Sequence, residues 1–149
     1  MTTEYDSLKL SNQLCFPFYA CSKEIIRLYK PFLDELDLTY TQYITMMVLW
    51  EHHTLTSKEL GKLLHLDSGT LTPLLKKLEH KGLLIKLRSP EDERNLVLTL
   101  TDAGEALKEK AVQVPPKIAS CIPMTEEEGL QVYQALQTVL HALGLDKEA

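Results

Sequence analysis

In the middle of the chain, apolar residues recur at intervals of three and four, the spacing of one face of an α-helix. They form two groups: Leu60, Leu63 and Leu64, then Leu71, Leu74, Leu75 and Leu78. Thr56 or Ser57 is placed to cap the first helix. Asp67 or Ser68 is placed to cap the second, which should end at Gly82. The pattern predicts two helices joined by a short link, as in a helix-turn-helix.

After Gly82 the apolar period changes from about four to two. The alternating positions are Leu83, Ile85 and Leu87, then Leu96, Leu98 and Leu100. A polar segment from Arg88 to Asn95 separates the two runs, so they should form a β-hairpin with a charged tip. This order of elements predicts a winged helix-turn-helix, and double-stranded DNA is the partner that such a fold leads us to expect.

The segments on either side are predicted to be helical and are more apolar than a solvated helix requires. The C-terminal segment begins with Thr125 and Glu128, which have the spacing of a capping box. A small winged helix cannot cover both segments, so we expect a homodimer in which they pack against their symmetry mates. The expected fold is one mainly α-helical domain, with the winged helix-turn-helix at about 38–104 and dimerisation helices at 7–36 and 105–149.

Charge favours DNA only locally. The chain of 149 residues has a formal charge of -5, but residues 56–100 contain eight Lys or Arg against six Asp or Glu, which gives that region +2. Local cations are what phosphate binding requires. The chain shows no signal peptide, and its longest apolar run, 44–50, is too short to span a bilayer. We therefore expect a cytoplasmic protein with no membrane partner.

The second predicted helix supplies most of the candidate DNA contacts. Ser68 and Thr70, at its start, can donate to phosphates or touch base edges. Lys76 and Lys77 lie further along and are expected to meet phosphate. Pro73 could present an apolar face to a thymine methyl, or it could be a proline tolerated in the first helical turn.

At the hairpin tip, Arg94 is the candidate for entering a minor groove, with Asp92 bracing it. The alternative is an ordinary surface ion pair, which would contribute little to stability.

The whole winged helix could also bind a protein partner instead of DNA, but this would leave the grouping of polar and basic residues unexplained.

Three cysteines, Cys15, Cys21 and Cys121, are the other candidates for chemistry. Their spacing fits no zinc motif and the histidines offer no paired ligand pattern, so neither a metal nor another cofactor is expected. A cysteine taken alone is most often a small buried apolar residue. A thiol enzyme is disfavoured because no second nucleophile or acid-base pair accompanies the cysteines.

Longer motifs resemble a known family. They are Asp92-Glu93-Arg94 at the hairpin tip and Leu98-Thr99-Leu100-Thr101-Asp102-Ala103-Gly104 after it. With these, the stretch from Leu38 to Glu109 resembles the MarR family of bacterial transcriptional regulators. The branch that senses organic hydroperoxides, OhrR, is resembled at Leu14-Cys15-Phe16, Tyr19, Tyr29-Lys30-Pro31, Leu38-Thr39-Tyr40 and the segment from Leu66 to Leu75.

The resemblance implies a repressor that releases its operator, a near-palindromic DNA site, when organic hydroperoxide oxidises Cys15. Tyr19, Tyr29 and Tyr40 occupy the positions of tyrosines that surround the reactive cysteine in this branch, and Cys121 that of the resolving cysteine in its two-cysteine class. The apolar neighbours Phe16 and Phe18 would favour organic hydroperoxides over hydrogen peroxide.

The spacing of Cys15 and Tyr29 leads to an expectation that does not depend on the resemblance. If residues 15 to 29 form one helix, Cys15 and Tyr29 lie about 21 Å apart along its axis, so a Tyr29 hydroxyl could reach Cys15 only from the partner subunit. Phenol hydroxyls there could stabilise the reactive thiolate.

Several alternatives stay open. Cys21 or a small thiol could replace Cys121, and Pro17 predicts that the first helix is kinked or begins near it. A MarR-type regulator controlled by a small ligand or by another oxidant is the rival function.

Overall fold

The computed structural model describes residues 4–92 and 95–145, and their fold is mainly α-helical with one small sheet, as predicted. The helices are α1 (Cys15–Asp34), α2 (Tyr40–His52), α3 (Ser57–Leu64), α4 (Ser68–His80), α5 (Asp102–Ala111), α6 (Val114–Cys121) and α7 (Glu126–Ala142). The strands are β1 (Thr54–Thr56), β2 (Leu84–Arg88) and β3 (Leu96–Leu100). Two 3₁₀ turns, Glu4–Leu8 and Leu10–Asn12, precede α1.

Helices α3 and α4 form the predicted helix-turn-helix. Thr56 caps α3 by accepting a hydrogen bond from the Glu59 backbone, and the Glu59 carboxylate accepts one from the Thr56 backbone N–H, which completes a capping box. Asp67 caps α4 by accepting a hydrogen bond of 2.8 Å from the Thr70 backbone. Between the helices, His65 takes a left-handed conformation (φ 53°), which makes the sharp change of direction. The capping residues predicted from the sequence are thus confirmed.

Gly82 ends the α4 segment, also as predicted. Its φ of 72° lies in the left-handed region, where a glycine is the least strained residue. The following Leu83 donates its backbone N–H to the Leu78 carbonyl at 3.1 Å, which closes the helix and starts the hairpin.

The sheet has the strand order β1-β3-β2, and both neighbouring pairs are antiparallel. The predicted hairpin is confirmed, but β1 was not predicted. In β3 the predicted Leu98 is buried, whereas the predicted buried face of β2 was wrong: Leu84 points into the core, and Ile85 and Leu87 are 45% and 58% exposed. Positions 83–85 are apolar without interruption, so a period of two fits either register there.

The core is centred on α2. Met46 and Leu49 from this helix are fully buried against leucines of the helix-turn-helix and the sheet. At the end of α2, the Trp50 indole donates a hydrogen bond of 2.9 Å to the Gly104 carbonyl in α5. Gly104 packs so closely that an added Cβ would lie 2.0 Å from the Leu83 carbonyl oxygen. This contact joins α5 to the corner between α4 and β2.

The predicted N-terminal helix at 7–36 is wrong in its first part, because α1 begins only at Cys15. Pro17 lies in the first turn of α1, where a missing N–H leaves no helical bond unmade. Pro17 predicted either a kink in the first helix or a helix that begins near it, and the second outcome is the one observed. Near its other end α1 packs against α6, where the Lys117 ammonium lies 3.4 Å from the Glu35 carboxylate and 5.5 Å from the centre of the Phe32 ring.

Helix α7 has the predicted capping box of Thr125 and Glu128, but none of its residues is buried within the chain. Its exposed apolar residues include Leu130, Val132, Tyr133 and Leu136. Within the residues described, no helix is long and apolar enough to cross a membrane.

Candidate functional site

The outer face of α4 carries the candidate DNA-contacting residues together. Its inner face packs four leucines into the core, so the opposite side chains project outward. The exposed residues include Ser68, Thr70, Pro73, Lys76 and Lys77. The structure thus places all five on one accessible helix, as its amphipathic pattern requires.

Pro73 is inside α4 and not in its first turn, so the first-turn explanation for this residue is wrong. As the sixth residue of the helix, it lacks the N–H that would bond the Gly69 carbonyl. That carbonyl lies in an exposed turn, where water can satisfy it. The proline ring is therefore part of the outer surface of α4.

A groove of about 530 Å³ separates α4 from α3 and the hairpin. Its basic lining residues are Lys58 and Lys62 from α3 and Lys86 from β2. These lysines are part of the local positive charge of residues 56–100, but none of the three was predicted to contact DNA. Their exposed positions beside the leucine face of α3 were the available signal for the first two.

Two of the counted lysines are engaged within the chain. Lys86 forms an ion pair of 2.9 Å with Glu79, which holds β2 against α4 and lowers the pKa of that carboxyl group. Lys81 pairs at 2.9 Å with Asp37, in the connection between α1 and α2. These pairs reduce the cationic charge that this surface presents to a ligand.

The described part of the hairpin tip is a hydrogen-bonded turn. Ser89 donates its backbone N–H to the Asn95 carbonyl, and Asn95 donates its own to the Asp92 carbonyl, both at 2.9 Å. The Asn95 side chain also reaches the Asp92 carboxylate at 3.4 Å. Arg94 lies outside the described residues, so its pairing with Asp92 stays a prediction.

Cys15 is exposed at the first residue of α1. Phe16 and Tyr19 lie beside it, with ring centres 6.4 Å apart, and are 41% and 64% exposed. The positive end of the helix macrodipole is at this end of α1, which favours negative charge there. Within its own chain this cysteine end of the helix is open to solvent.

Tyr29 and Tyr40 meet at the other end of α1. Their ring centres are 5.1 Å apart in an edge-to-face arrangement, and Tyr43 lies 5.9 Å from Tyr29. The pKa of Tyr29 is raised mainly by burial and to a smaller extent by the neighbouring Tyr40. The pKa of Tyr43 is also raised mainly by burial, with smaller contributions from Tyr29 and Tyr40. The raised pKa values favour the protonated hydroxyls of Tyr29 and Tyr43, which can donate hydrogen bonds. Tyr43 was not predicted to belong to this cluster, although its spacing from Tyr40 matches one helical turn.

Cys15 and Tyr29 belong to one continuous helix, so the premise of the 21 Å separation is confirmed. The structure therefore groups the predicted sensor residues as two clusters: Cys15 with Phe16 and Tyr19 at one end, Tyr29 with Tyr40 at the other. About 21 Å of helix separates the clusters within a chain.

All three cysteines are exposed and free, so the expectation that a cysteine here is a small buried residue is wrong for this chain. Cys15 and Cys21 are six residues apart on one helix, about 9 Å, whereas a disulfide requires Cα atoms within about 7 Å. These two cannot pair within a chain while α1 stays helical.

Cys121 is the last residue of α6, which contacts the opposite end of α1 from Cys15. Glu35, the contact of Lys117, is twenty residues beyond Cys15, or about 30 Å along the helix. The four residues from Lys117 to Cys121 span only about 6 Å. Cys121 therefore cannot reach Cys15 of its own chain.

Across the residues that the structure describes, no group of three or more His, Cys, Asp or Glu side chains could hold a metal ion.

Residues 27–111 match the family model for the transcriptional regulators SarA and Rot, which covers α2 to α5 and the last eight residues of α1. The chain is also 49% identical over 143 residues to the organic hydroperoxide resistance transcriptional regulator of Bacillus subtilis, across 96% of this chain and 97% of that one. The chain belongs to the MarR family. It is a transcriptional regulator and not an enzyme, as the sequence predicted.

Other MarR-family regulators are similar over most of their length. SarZ of Staphylococcus aureus is 45% identical over 128 residues, 86% of each chain. AbfR of Staphylococcus epidermidis, in its reduced, DNA-bound structure, is 35% identical, with a TM-score of 0.77 over 95% of this chain and 99% of its own. The disulfide-formed structure of AbfR has a TM-score of 0.65 at 37% identity, over 94% of this chain and 95% of its own.

Proposed function

We propose that this MarR-family protein is a cytoplasmic repressor that binds operator DNA as a homodimer and releases it when an organic hydroperoxide oxidises Cys15. The observation that carries the proposal is the division of the sensor between the two ends of α1. The exposed Cys15 lies about 21 Å along α1 from Tyr29, which contacts Tyr40. The cysteine and these phenols can therefore form one site only if they come from two different chains.

Homodimer formation is supported by the helices that flank the DNA-binding unit at about 38–104. No residue of α7 is buried within the chain, although this helix carries four large exposed apolar side chains. A surface of this kind is normally covered by a partner. The proposed dimer buries α1 and α7 of one chain against those of the other.

DNA binding is supported by the exposed α4 face, the basic groove beside it and the DNA-bound state of AbfR. Ser68, Thr70 and Pro73 would contact base edges or nearby phosphates, and Lys76 and Lys77 the backbone. The hairpin would add Arg94, steadied by Asp92. In a dimer the two α4 helices enter successive major grooves, about 34 Å apart, on a pseudo-palindromic operator.

In the proposed sensor, the two α1 helices run antiparallel and Cys15 of one chain lies level with Tyr29 of the partner subunit. Tyr29 and Tyr40 then donate hydrogen bonds to the thiolate of Cys15, which stabilise it for attack on peroxide. Tyr19 and Phe16 flank the thiol, and the apolar ring of Phe16 favours an organic group on the peroxide.

The proposed chemistry uses the hydroperoxide as its only oxidant. The Cys15 thiolate attacks the outer peroxide oxygen, the O–O bond breaks, and the alcohol leaves after taking up a proton. The resulting sulfenic acid condenses with the Cys121 thiol of the partner subunit, forming an S–S bond and releasing water. The geometry that separates these cysteines within a chain supports a bond between subunits.

The conformation described here supports the direction of the switch. Its TM-score is 0.77 with DNA-bound AbfR, both reduced and overoxidised, and 0.65 with disulfide-formed AbfR. The state without the disulfide is therefore proposed as the DNA-binding state, and the disulfide as the state that moves the two α4 helices out of register.

The test is fluorescence anisotropy of the reduced protein on its own upstream DNA, before and after one equivalent of cumene hydroperoxide. The proposal predicts tight binding that peroxide abolishes, with Cys21→Ser behaving like the unmodified protein and Cys15→Ser staying bound. Release of Cys15→Ser by peroxide would refute the sensor. Release of both proteins by a non-oxidising small ligand would favour the rival, ligand-controlled regulator.

A further inference from the structure

Tyr43 is a third phenol at the end of α1 that carries Tyr29, and it has no role in the sensor reaction proposed above. Its ring centre lies 5.9 Å from that of Tyr29, and only 3% of the residue is exposed. Tyr40, one helical turn away on α2, contacts the same Tyr29 ring at 5.1 Å. Tyr29 is therefore in contact with both phenols of α2.

The first turn of α2 holds these two phenols in place. Thr39 caps the helix by accepting a hydrogen bond from the Gln42 backbone, and the Gln42 side chain accepts one of 3.1 Å from the Thr39 backbone. The Tyr43 backbone donates to the Thr39 carbonyl at 2.9 Å. Tyr40 is half-buried and Tyr43 is buried in the core, so Tyr43 is the more firmly held of the two.

The hydroxyls of Tyr29, Tyr40 and Tyr43 are available as donors, because none of them has a hydrogen-bond partner within residues 4–92 and 95–145. The Tyr43 hydroxyl is not among the polar atoms that the described part of the chain seals from solvent without a partner, so it reaches the surface although its ring is buried. Tyr29 and Tyr40 both contribute to the raised pKa of Tyr43, which indicates that the three hydroxyls lie near one another.

The proposed sensor reaction requires a proton at this place, and the inference rests on that reaction. Tyr29 and Tyr40 hydrogen-bond the thiolate of Cys15 of the partner subunit, which attacks the outer peroxide oxygen. The O–O bond then breaks and leaves an alkoxide, which is a strong base. Delivery of a proton as this charge develops accelerates such a step by about 10² to 10⁴-fold. No residue has yet been assigned to supply that proton.

Tyr43 has the properties of such a donor. A phenol, with an ordinary pKa of about 10, is acidic enough to protonate an alkoxide, because an alcohol is nearly as weak an acid as water, whose pKa is about 15.7. Burial raises the pKa of Tyr43 and so favours the protonated hydroxyl that a donor needs. The buried ring holds this hydroxyl beside the two phenols that contact the thiolate.

We infer that Tyr43 is the proton donor of the sensor reaction: its hydroxyl protonates the departing oxygen while the thiolate of Cys15 of the partner subunit attacks the other peroxide oxygen. The S–O bond forms as the O–O bond breaks. The sulfenic acid keeps the hydrogen of the hydroperoxide, and the alcohol takes the proton of Tyr43. The tyrosinate that remains recovers a proton from water. Tyr29 and Tyr40 thus act on the nucleophile, and Tyr43 acts on the leaving group.

The experiment compares two oxidants with different leaving groups. Every protein carries Cys21→Ser and Cys121→Ser, so that Cys15 is the only thiol, and its loss is followed by thiol titration after rapid quenching. tert-Butyl hydroperoxide releases an alkoxide, which needs a proton, whereas 3-chloroperbenzoic acid releases a carboxylate, which does not. Tyr43→Phe should react about 100-fold more slowly with the hydroperoxide, the low end of the range for general acids, and at nearly the unmodified rate with the peracid.

Two variants serve as controls. Tyr5→Phe removes a hydroxyl from a residue that is 71% exposed in the first 3₁₀ turn, and it should react with both oxidants at the unmodified rate. Tyr40→Phe should slow both oxidants, because it acts on the thiolate that both reactions share. A second measurement needs no variant: in heavy water the unmodified site should react more slowly with the hydroperoxide but not with the peracid.

Equal slowing of Tyr43→Phe with both oxidants, or no slowing with either, would overturn the assignment of Tyr43 to the leaving group. Failure of the proposed function has a different signature. Fast oxidation of Cys15 by the hydroperoxide together with an unselective Tyr43→Phe would leave the sensor in place and refute only the proton donor. Oxidation of Cys15 that is no faster than that of a free cysteine in solution would refute both.

Discussion

Replacing Gly104 by alanine should destabilise the protein strongly, because this glycine has no room for a side chain. The added Cβ would lie 2.0 Å from the Leu83 carbonyl oxygen and 3.0 Å from a methyl group of Leu100. Because the first contact is with backbone, α5 must move by about 1.4 Å to restore an ordinary van der Waals distance. That movement strains two hydrogen bonds, from Trp50 to the Gly104 carbonyl at 2.9 Å and from the Thr101 backbone to Leu83 at 3.2 Å.

The magnitude follows from these contacts. Overpacking costs about 1 to 3 kcal/mol, and the loss of two hydrogen bonds about 1 kcal/mol each. Alanine recovers about 1 kcal/mol through its higher helix propensity. The free energy of unfolding should therefore fall by about 2 to 4 kcal/mol, which is a large share of the stability of an ordinary domain.

The assay is urea unfolding followed by circular dichroism and by the fluorescence of Trp50, the only tryptophan, at one fixed protein concentration. Glu51→Ala, at an exposed position of α2 outside the proposed dimer helices, is the control and should leave the free energy of unfolding nearly unchanged. An unfolding midpoint for Gly104→Ala equal to that of the unmodified protein would refute the packing argument.

Three further predictions concern DNA binding, the disulfide and pH. Lys76→Ala, which removes one phosphate contact from each subunit of the dimer, should weaken DNA binding about uniformly across sequences and reduce the salt slope by about 2, whereas Lys110→Ala in α5 should leave anisotropy titrations unchanged. Cys121→Ser should lose the peroxide-dependent intersubunit crosslink on non-reducing gels; a retained crosslink would refute its role. Hydrogen bonds from the Thr56 backbone and side chain lower the pKa of Glu59, so its stabilising contribution is full above the unfolded value of 4.5 and is lost as pH falls through the folded value. Glu59→Gln should therefore show a smaller fall in Tm between about pH 7 and about pH 3.5; an unchanged fall would contradict this.

The helix-turn-helix could be predicted because its signals are local. Asp67 caps a helix through a bond to a residue three positions on, and Gly82 ends one through its own left-handed backbone. Neither feature needs a distant partner. Strand β1 could not be found in this way, because it is three residues long and is held by pairing with β3, more than forty residues away.

The buried face of β2 shows the limit of periodicity. Apolar residues on both sides of the strand leave the alternation ambiguous, and only the pairing of Leu84 with Leu100 decides which side faces the core. Part of the sensor also could not be predicted from local sequence, because it depends on how helices pack. Tyr43 contributes through its ring contact with Tyr29, which depends on how α1 packs against α2 and not on any motif around it.

The length of α1 has a genetic consequence. Because one helix holds Cys15 and Tyr29 about 21 Å apart, each proposed sensor site draws these two groups from different chains. Alleles encoding Cys15→Ser and Tyr29→Phe, expressed together, would form mixed dimers with one wholly intact site and one that lacks both groups. Two alleles that each fail alone would therefore restore a response to peroxide when combined, which is intragenic complementation.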